Sequence, residues 1–222
     1  MLLTRGVEGF ITTDTSITEK LPLPTVAVAG HERVEGVTKI TLDHNFAARL
    51  ALMHLLALGH REIAFLKGHP ASSDSAARWG SICSVASELG IRIHPGLTVQ
   101  IDSTVSTPHL GYPFAKELLA REQPFTALFA YNDICAIGSI RAFEEAGLRV
   151  PEDISVVGFD DVPAAAFANP GLTTVRRPLQ RMGQIAAKIA IDQIEGNAGC
   201  RRSPLSQSLS SATPLVRLLP LS

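Results

Sequence analysis

The 222-residue chain has little excess charge of either sign: 20 Lys and Arg stand against 21 Asp and Glu, a formal net of −1. Bulk charge therefore gives no reason to expect a nucleic-acid surface, and no Lys/Arg-rich block appears, Arg176-Arg177 and Arg201-Arg202 being isolated pairs. The three cysteines, Cys83, Cys135 and Cys200, are odd in number and lack metal or redox spacing. Cys83 and Cys135 lie inside apolar helical patterns, which reads as reduced, buried and inert thiols and fits a reducing cytoplasm. The first residues, MLLTRGVEGFITTD, carry no long apolar run and no small-residue cleavage site, so they do not read as a signal peptide. No uninterrupted apolar run approaches membrane-spanning length, and no internal repeat stands out beyond alternating β and α patterns.

Chemical motifs are equally sparse. G-x-S-x-G, G-x-G-x-x-G and the P-loop pattern are missing, and the seven histidines show no metal-ligand spacing. Acid–base chemistry could draw on the Asp133/Asp160 region in principle. Without a paired nucleophile or metal ligands, the sequence predicts no catalytic residue, no metal and no cofactor.

What the chain does have is 45% apolar and 18% charged residues, ordinary for a soluble globular protein. Its organising stretch is Phe125–Pro178. Two apolar runs of strand length, Ala127–Ala130 and Ile154–Phe159, each end in a carboxylate-bearing pair, Asn132-Asp133 and Asp160-Asp161. Between them Ile134, Ile137, Ile140, Ala142, Phe143 and Ala146 fall mostly at helical spacing, and Gly147 is a natural helix stop. Asn132 and Asp160 are 28 positions apart, about one βαβ unit, so two parallel strands would deliver both to one sheet edge. In open α/β sheets ligands sit at that carboxyl edge.

Elsewhere the pattern predicts strands at 5–13, 25–29, 39–42, 63–66, 97–101 and 172–175. A helix over 46–58 is expected to bury Leu50, Met53, His54 and Ala57. Ser73, Asp74 or Ser75 is expected to cap a helix that runs to about Leu89 and carries Arg78. A helix over 109–119 should turn Leu110, Phe114, Leu118 and Leu119 inward. Another over 179–194 should bury Met182, Ile185, Ala186 and Ile189.

The runs YND-x-x-A-x-G, EEAGLRVPEDISVVGFDD, NPGLTTVRRP and RMGQIAA, with HLLALGHREIAFLKG at 54–68, resemble the effector-binding domain of LacI/GalR-family transcriptional regulators. That fold is shared with periplasmic sugar-binding proteins. The resemblance is dense over 125–178 and looser from about Val7 to Gly196. It implies an α/β fold of the type I periplasmic-binding-protein kind, with two doubly wound parallel-sheet subdomains, the first incomplete. Residues 1–44 and 177–196 would form the partial first subdomain and 45–176 the second, with 197–222 an irregular tail. The family's helix-turn-helix headpiece has no counterpart here, so N-terminal truncation is expected.

By resemblance the ligand is a small sugar or derivative bound between the subdomains, in a cytoplasmic homodimer that reaches DNA only through a headpiece. Asp160 would accept bonds from adjacent hydroxyls, Asn132 would both cap its helix and face the ligand, and Arg78 would reach into the cleft. Ser106 stands where the family often places a stacking aromatic, which favours a small polyol or sugar acid over a purine-like effector. Asp43, after a first-subdomain strand, is a further ligand-binding candidate. The alternative reading is a periplasmic sugar-binding protein of a transport system.

Overall fold

A computed structural model describes residues 6–13, 15, 17, 19–29, 34–72, 74–102, 107, 109–196 and 215–217 of the chain. The elements run β1 (Phe10–Thr13), β2 (Thr25–Val28), β3 (Val37–Ile40), α1 (His44–Ala57), β4 (Ile63–Lys67), α2 (Ser75–Glu88), β5 (Thr98–Gln100) and α3 (Tyr112–Ala120). They continue as β6 (Ala127–Phe129), α4 (Asp133–Glu145), β7 (Ser155–Asp160), α5 (Pro163–Phe167), β8 (Thr173–Arg176), α6 (Leu179–Ile194) and β9 (Leu215–Arg217). Two compact units result: Met1–Asp43 with Pro178–Thr213, and His44–Arg177 with Pro214–Ser222. The division expected from sequence crosses one residue away at each of the two passages between them.

In the first unit, β1, β2 and β3 form a parallel sheet in that order. All four residues of β2 are buried, as a strand covered on both faces requires. The apolar stripe of α6 supplies cover: Met182, Ala186 and Ala190 pack on Val26, Val28 and Ile40, with Ile185 and Ile189 half-buried beside them. β3 starts two residues before the expected position because Gly36, at φ 79°, turns the chain directly into Val37.

The second unit is a sheet in the order β5-β4-β6-β7-β8-β9. Its first five strands are parallel and β9 runs antiparallel to β8. Strand order reverses between β4 and β6, so connections leave in opposite directions there and open a crevice at the carboxyl ends. The core on one face joins Leu66, Val99, Leu118, Leu128, Phe143 and Val156, all nearly or wholly buried, with α3 and α4 packed against it. The α4 helix begins at Asn132, whose side-chain oxygen accepts the Cys135 amide at 2.9 Å, and ends at Gly147 with φ 83°.

Three expectations need correction. The buried face of α1 is His44, Ala47, Ala48, Ala51, Leu52 and Leu55, not the one containing Leu50, Met53, His54 and Ala57; Met53 is 53% exposed. Large apolar side chains line this helix all round, and the buried face is marked by small alanines together with Leu52 and Leu55. Second, the tail is not irregular throughout. Leu215–Arg217 pairs with β8 (Thr174↔Arg217, Val175↔Val216, Arg176↔Leu215), a stretch too short to show a period; the rest of 197–222 lies outside the described residues, as does Cys200. Third, Cys135 is buried with its thiol pushed up to about 12 by burial, but Cys83 is only half-buried. A short helix, α5, also stands where no helix was expected.

Candidate functional site

The register of β6 against β7 pairs Ala127 with Ser155 and Phe129 with Val157, a constant offset of 28. Asn132 comes three residues after β6, and Asp160 closes β7. Both therefore stand at the carboxyl edge of the sheet, Asn132 at the N-terminus of α4 and Asp160 as the last residue of β7. Asp160 has φ 109° and Asp161 φ 59°, conformations that L side chains adopt at a cost. Pairing to β8 holds them: Asp160 is in register with Arg176, and Arg176 Nε donates to Asp161 Oδ2 at 2.5 Å.

Arg78, the first-turn arginine of α2, is 3% exposed, so it is not a solvated helix residue. Its Nη1 donates to the Tyr131 carbonyl at 2.6 Å. The guanidinium carbon lies 3.9 Å from the Phe159 ring centroid and 4.5 Å from that of Tyr131, so the cation is clasped between two π faces. Tyr131 lies across the β4/β6 crevice: Gly68, just after β4, has no room for a Cβ, which would meet the tyrosine ring at 2.1 Å. The Tyr131 hydroxyl is 2.8 Å from Ser72 Oγ.

Three further residues, Asp74, Arg177 and His44, join this edge though none was a site candidate in the sequence. Asp74, one of three residues expected to cap α2, stands at the N-cap position but makes no side-chain capping bond. Its carboxylate, 2% exposed at the residue level, faces two guanidiniums and an imidazole instead: Arg78 Nη2 at 3.6 Å, Arg177 Nη1 at 3.8 Å and His44 Nε2 at 3.6 Å. Arg177 Nη1 also lies 3.3 Å from Asp160 Oδ1. One network thus runs from His44 through Asp74, Arg78 and Arg177 to Asp160. It draws on α1, α2, the end of β7 and the segment after β8, which are up to 133 positions apart in sequence. No helical or strand period can announce such a grouping.

Beneath the edge sits Asp133, fully buried. It accepts bonds from the Val162 amide at 2.8 Å and from the Thr174 hydroxyl. Gly158 leaves space for it, since a Cβ there would meet Asp133 Oδ1 at 2.3 Å. Burial pushes its carboxyl up to about 6, against the two hydrogen bonds and with help from Asp160 and Asp161. Because the folded chain then holds a proton that an unfolded carboxyl has released, this group favours the fold most at low pH. That advantage is lost as pH rises from about 4 to about 6. The unfolding free energy of wild type minus that of Asp133→Asn is expected to fall by roughly 3 kcal/mol between pH 4 and pH 7. Urea titrations across that range check this, and a flat difference contradicts it.

Of the remaining sequence candidates, Asp43 is half-buried in the first unit, just before α1. Ser106 lies outside the described residues. The histidines mostly serve structure: His60 joins Thr126 Oγ1 at 2.8 Å and Ser155 Oγ at 2.9 Å, and burial lowers its pKa. Among the described residues no group of three or more His, Cys, Asp or Glu could hold a metal, and no helix is long and apolar enough to cross a membrane.

The chain matches the periplasmic binding protein-like domain family over residues 52–210. It is 38% identical over 158 residues to the HTH-type transcriptional repressor PurR of Erwinia tasmaniensis, covering 71% of this chain and 46% of that protein. To the HTH-type transcriptional regulator MalR of Streptomyces coelicolor it is 35% identical over 210 residues, covering 88% of this chain and 60% of that one. Among solved structures, the complex of the transcriptional regulator CelR with cellobiose superposes with a TM-score of 0.78 at 28% identity, covering 89% of this chain and 62% of that chain. The chain thus spans roughly half the length of the curated relatives it matches. With five parallel strands, the strand order reversed at β4/β6 and this match over most of its length, the chain belongs to the periplasmic binding protein-like domain family, in the form carried by LacI-type transcriptional regulators.

Proposed function

We propose that this chain is the effector-sensing part of a LacI-type transcriptional regulator, and that its effector is a small hydroxylated ligand, a sugar or a close derivative. The observation that carries the ligand site is the buried arginine Arg78, held at the same carboxyl edge as Asn132 and the conformationally strained Asp160. A carboxylate takes two adjacent hydroxyls, an amide offers donor and acceptor together, and a guanidinium gives a fixed fork of donors. That set recognises a polyol. The named relatives are regulators rather than transport proteins, and CelR is seen with cellobiose, which favours regulation over the transport reading.

In this reading DNA recognition belongs to sequence outside the chain, the protein works in the cytoplasm as a homodimer, and no residue is assigned a catalytic role. The effector acts by binding one arrangement of the regulator more tightly than another, since only differential affinity shifts an equilibrium. A thermal-denaturation screen with neutral mono- and disaccharides tests the proposal. At least one sugar is expected to raise Tm in a saturable, concentration-dependent way. A panel of sugars that leaves Tm unchanged, while purines or amino acids raise it, would reject the sugar class.

A further inference from the structure

Two guanidiniums and two carboxylates share the network at the sheet edge. The Arg78 side chain is 4% exposed and that of Arg177 10%, and the Nε of each is buried without a hydrogen-bond acceptor among the described residues. Two arginines so placed would by themselves make a receptor for a carboxylate or phosphate, the groups whose geometry the guanidinium fork fits. They do not stand by themselves. The Asp74 side chain, 3% exposed, faces both within 3.8 Å, and Asp160 takes the second contact to Arg177. Asp161 is already engaged by Arg176, and Asp133 adds further negative charge once the pH exceeds about 6.

We propose that Asp74 is a specificity-determining residue: by lying against both Arg78 and Arg177 it completes, with Asp160, the balance of their charge and fits the site to uncharged polyhydroxylated ligands, excluding sugar acids and sugar phosphates. A ligand anion would have to compete with a buried carboxylate that is covalently part of the protein. A neutral sugar need only share donors that Asp74 has already oriented. The anion-rejecting element is thus a fixed negative charge behind the two cations, and discrimination rests on it rather than on pocket shape. This deepens the sugar-site reading and rests on it for the ligand class, but its electrostatic core can be tested without any sugar.

The probe is inorganic phosphate, titrated at constant ionic strength against chloride, with Tm of the 222-residue chain as readout. Wild type should respond to phosphate no more than to chloride. Asp74→Asn, and Asp74→Ser, which retains a good N-cap residue for α2, should gain saturable phosphate stabilisation with affinity at least about tenfold above wild type. That gain should vanish when Arg177→Gln is added. A merely structural Asp74 would lower Tm in both variants and confer no anion response. Phosphate stabilisation of wild type would overturn the proposal, as would folded variants that ignore phosphate. If no sugar binds yet the variants gain phosphate, the sugar reading fails and the charge-cancelling role of Asp74 stands.

Discussion

Replacing Asp160 by alanine is expected to abolish ligand-induced stabilisation while the chain still folds. Asp160 ends β7 with its carboxylate 20% exposed, so its loss opens no cavity in the core. Arg177 retains Asp74 as a counter-ion at 3.8 Å, so no buried cation is stranded. In the proposed site a ligand, by contrast, loses a carboxylate able to accept from two adjacent hydroxyls. Loss of a half-buried charge that binds the ligand should sit at the low end of the roughly 2–5 kcal/mol range for buried pairs, about 2 kcal/mol or roughly 30-fold in affinity. The control is Asp153→Ala. Asp153 lies before the other end of β7, is exposed, and is held down to about 2 by Arg149 at a turn. Its removal should leave the Tm shift by sugar intact. Equal loss in both variants would mean that overall charge, not the site, governs binding.

The largest effect on stability is expected at Gly111, where the N-terminus of α3 meets the first turn of α4. A Cβ there would meet the Cys135 carbonyl oxygen at 1.8 Å, and the obstacle is backbone that cannot rotate aside. Gly111→Ala should therefore force the two helices apart and cost about 3 kcal/mol or more. Gly80, inside α2, has nothing within 4 Å of its virtual Cβ and ordinary helical backbone. Gly80→Ala should stabilise by about 0.5–1 kcal/mol, through helix propensity and reduced freedom of the unfolded chain. Urea denaturation of the two variants should show opposite signs. A near-neutral Gly111→Ala would mean that α3 and α4 are packed less closely than the structure shows.

The parts of the site legible in the sequence are those whose placement follows from chain spacing. Asn132 comes just after β6 and Asp160 ends β7, one βαβ unit apart, so parallel pairing brings both to the same sheet edge without further information. Arg78 is different. Nothing in the local pattern distinguishes it from an arginine on a solvated helix face, and only the family resemblance singles it out. Asp74 was legible as a helix-start residue, but its charge is used across the fold rather than along its own helix. Arg177 and His44 join it through ion pairs spanning 103 and 30 positions, distances over which composition carries no signal.

The same contrast holds for the fold. The α4 and α6 helices were readable because α4 is bounded by the Asn132 cap and Gly147, and α6 has a single apolar stripe. The phase of α1 was not, because leucines and methionine surround it and the small alanines on its buried face carry little weight in a hydrophobic pattern. The three-residue β9 is shorter than the period needed to recognise it.

The most direct test is to map amide chemical-shift changes in isotopically labelled protein as the best sugar from the thermal screen is titrated in. The largest changes should cluster at the carboxyl edge of the second unit, around Gly68, Arg78, Tyr131–Asp133, Asp160–Asp161 and Arg177, and should disappear in Asp160→Ala. Perturbations concentrated instead at the opposite ends of the strands, around Arg149–Asp153 and His60–Glu62, would place the ligand elsewhere and contradict the assignment.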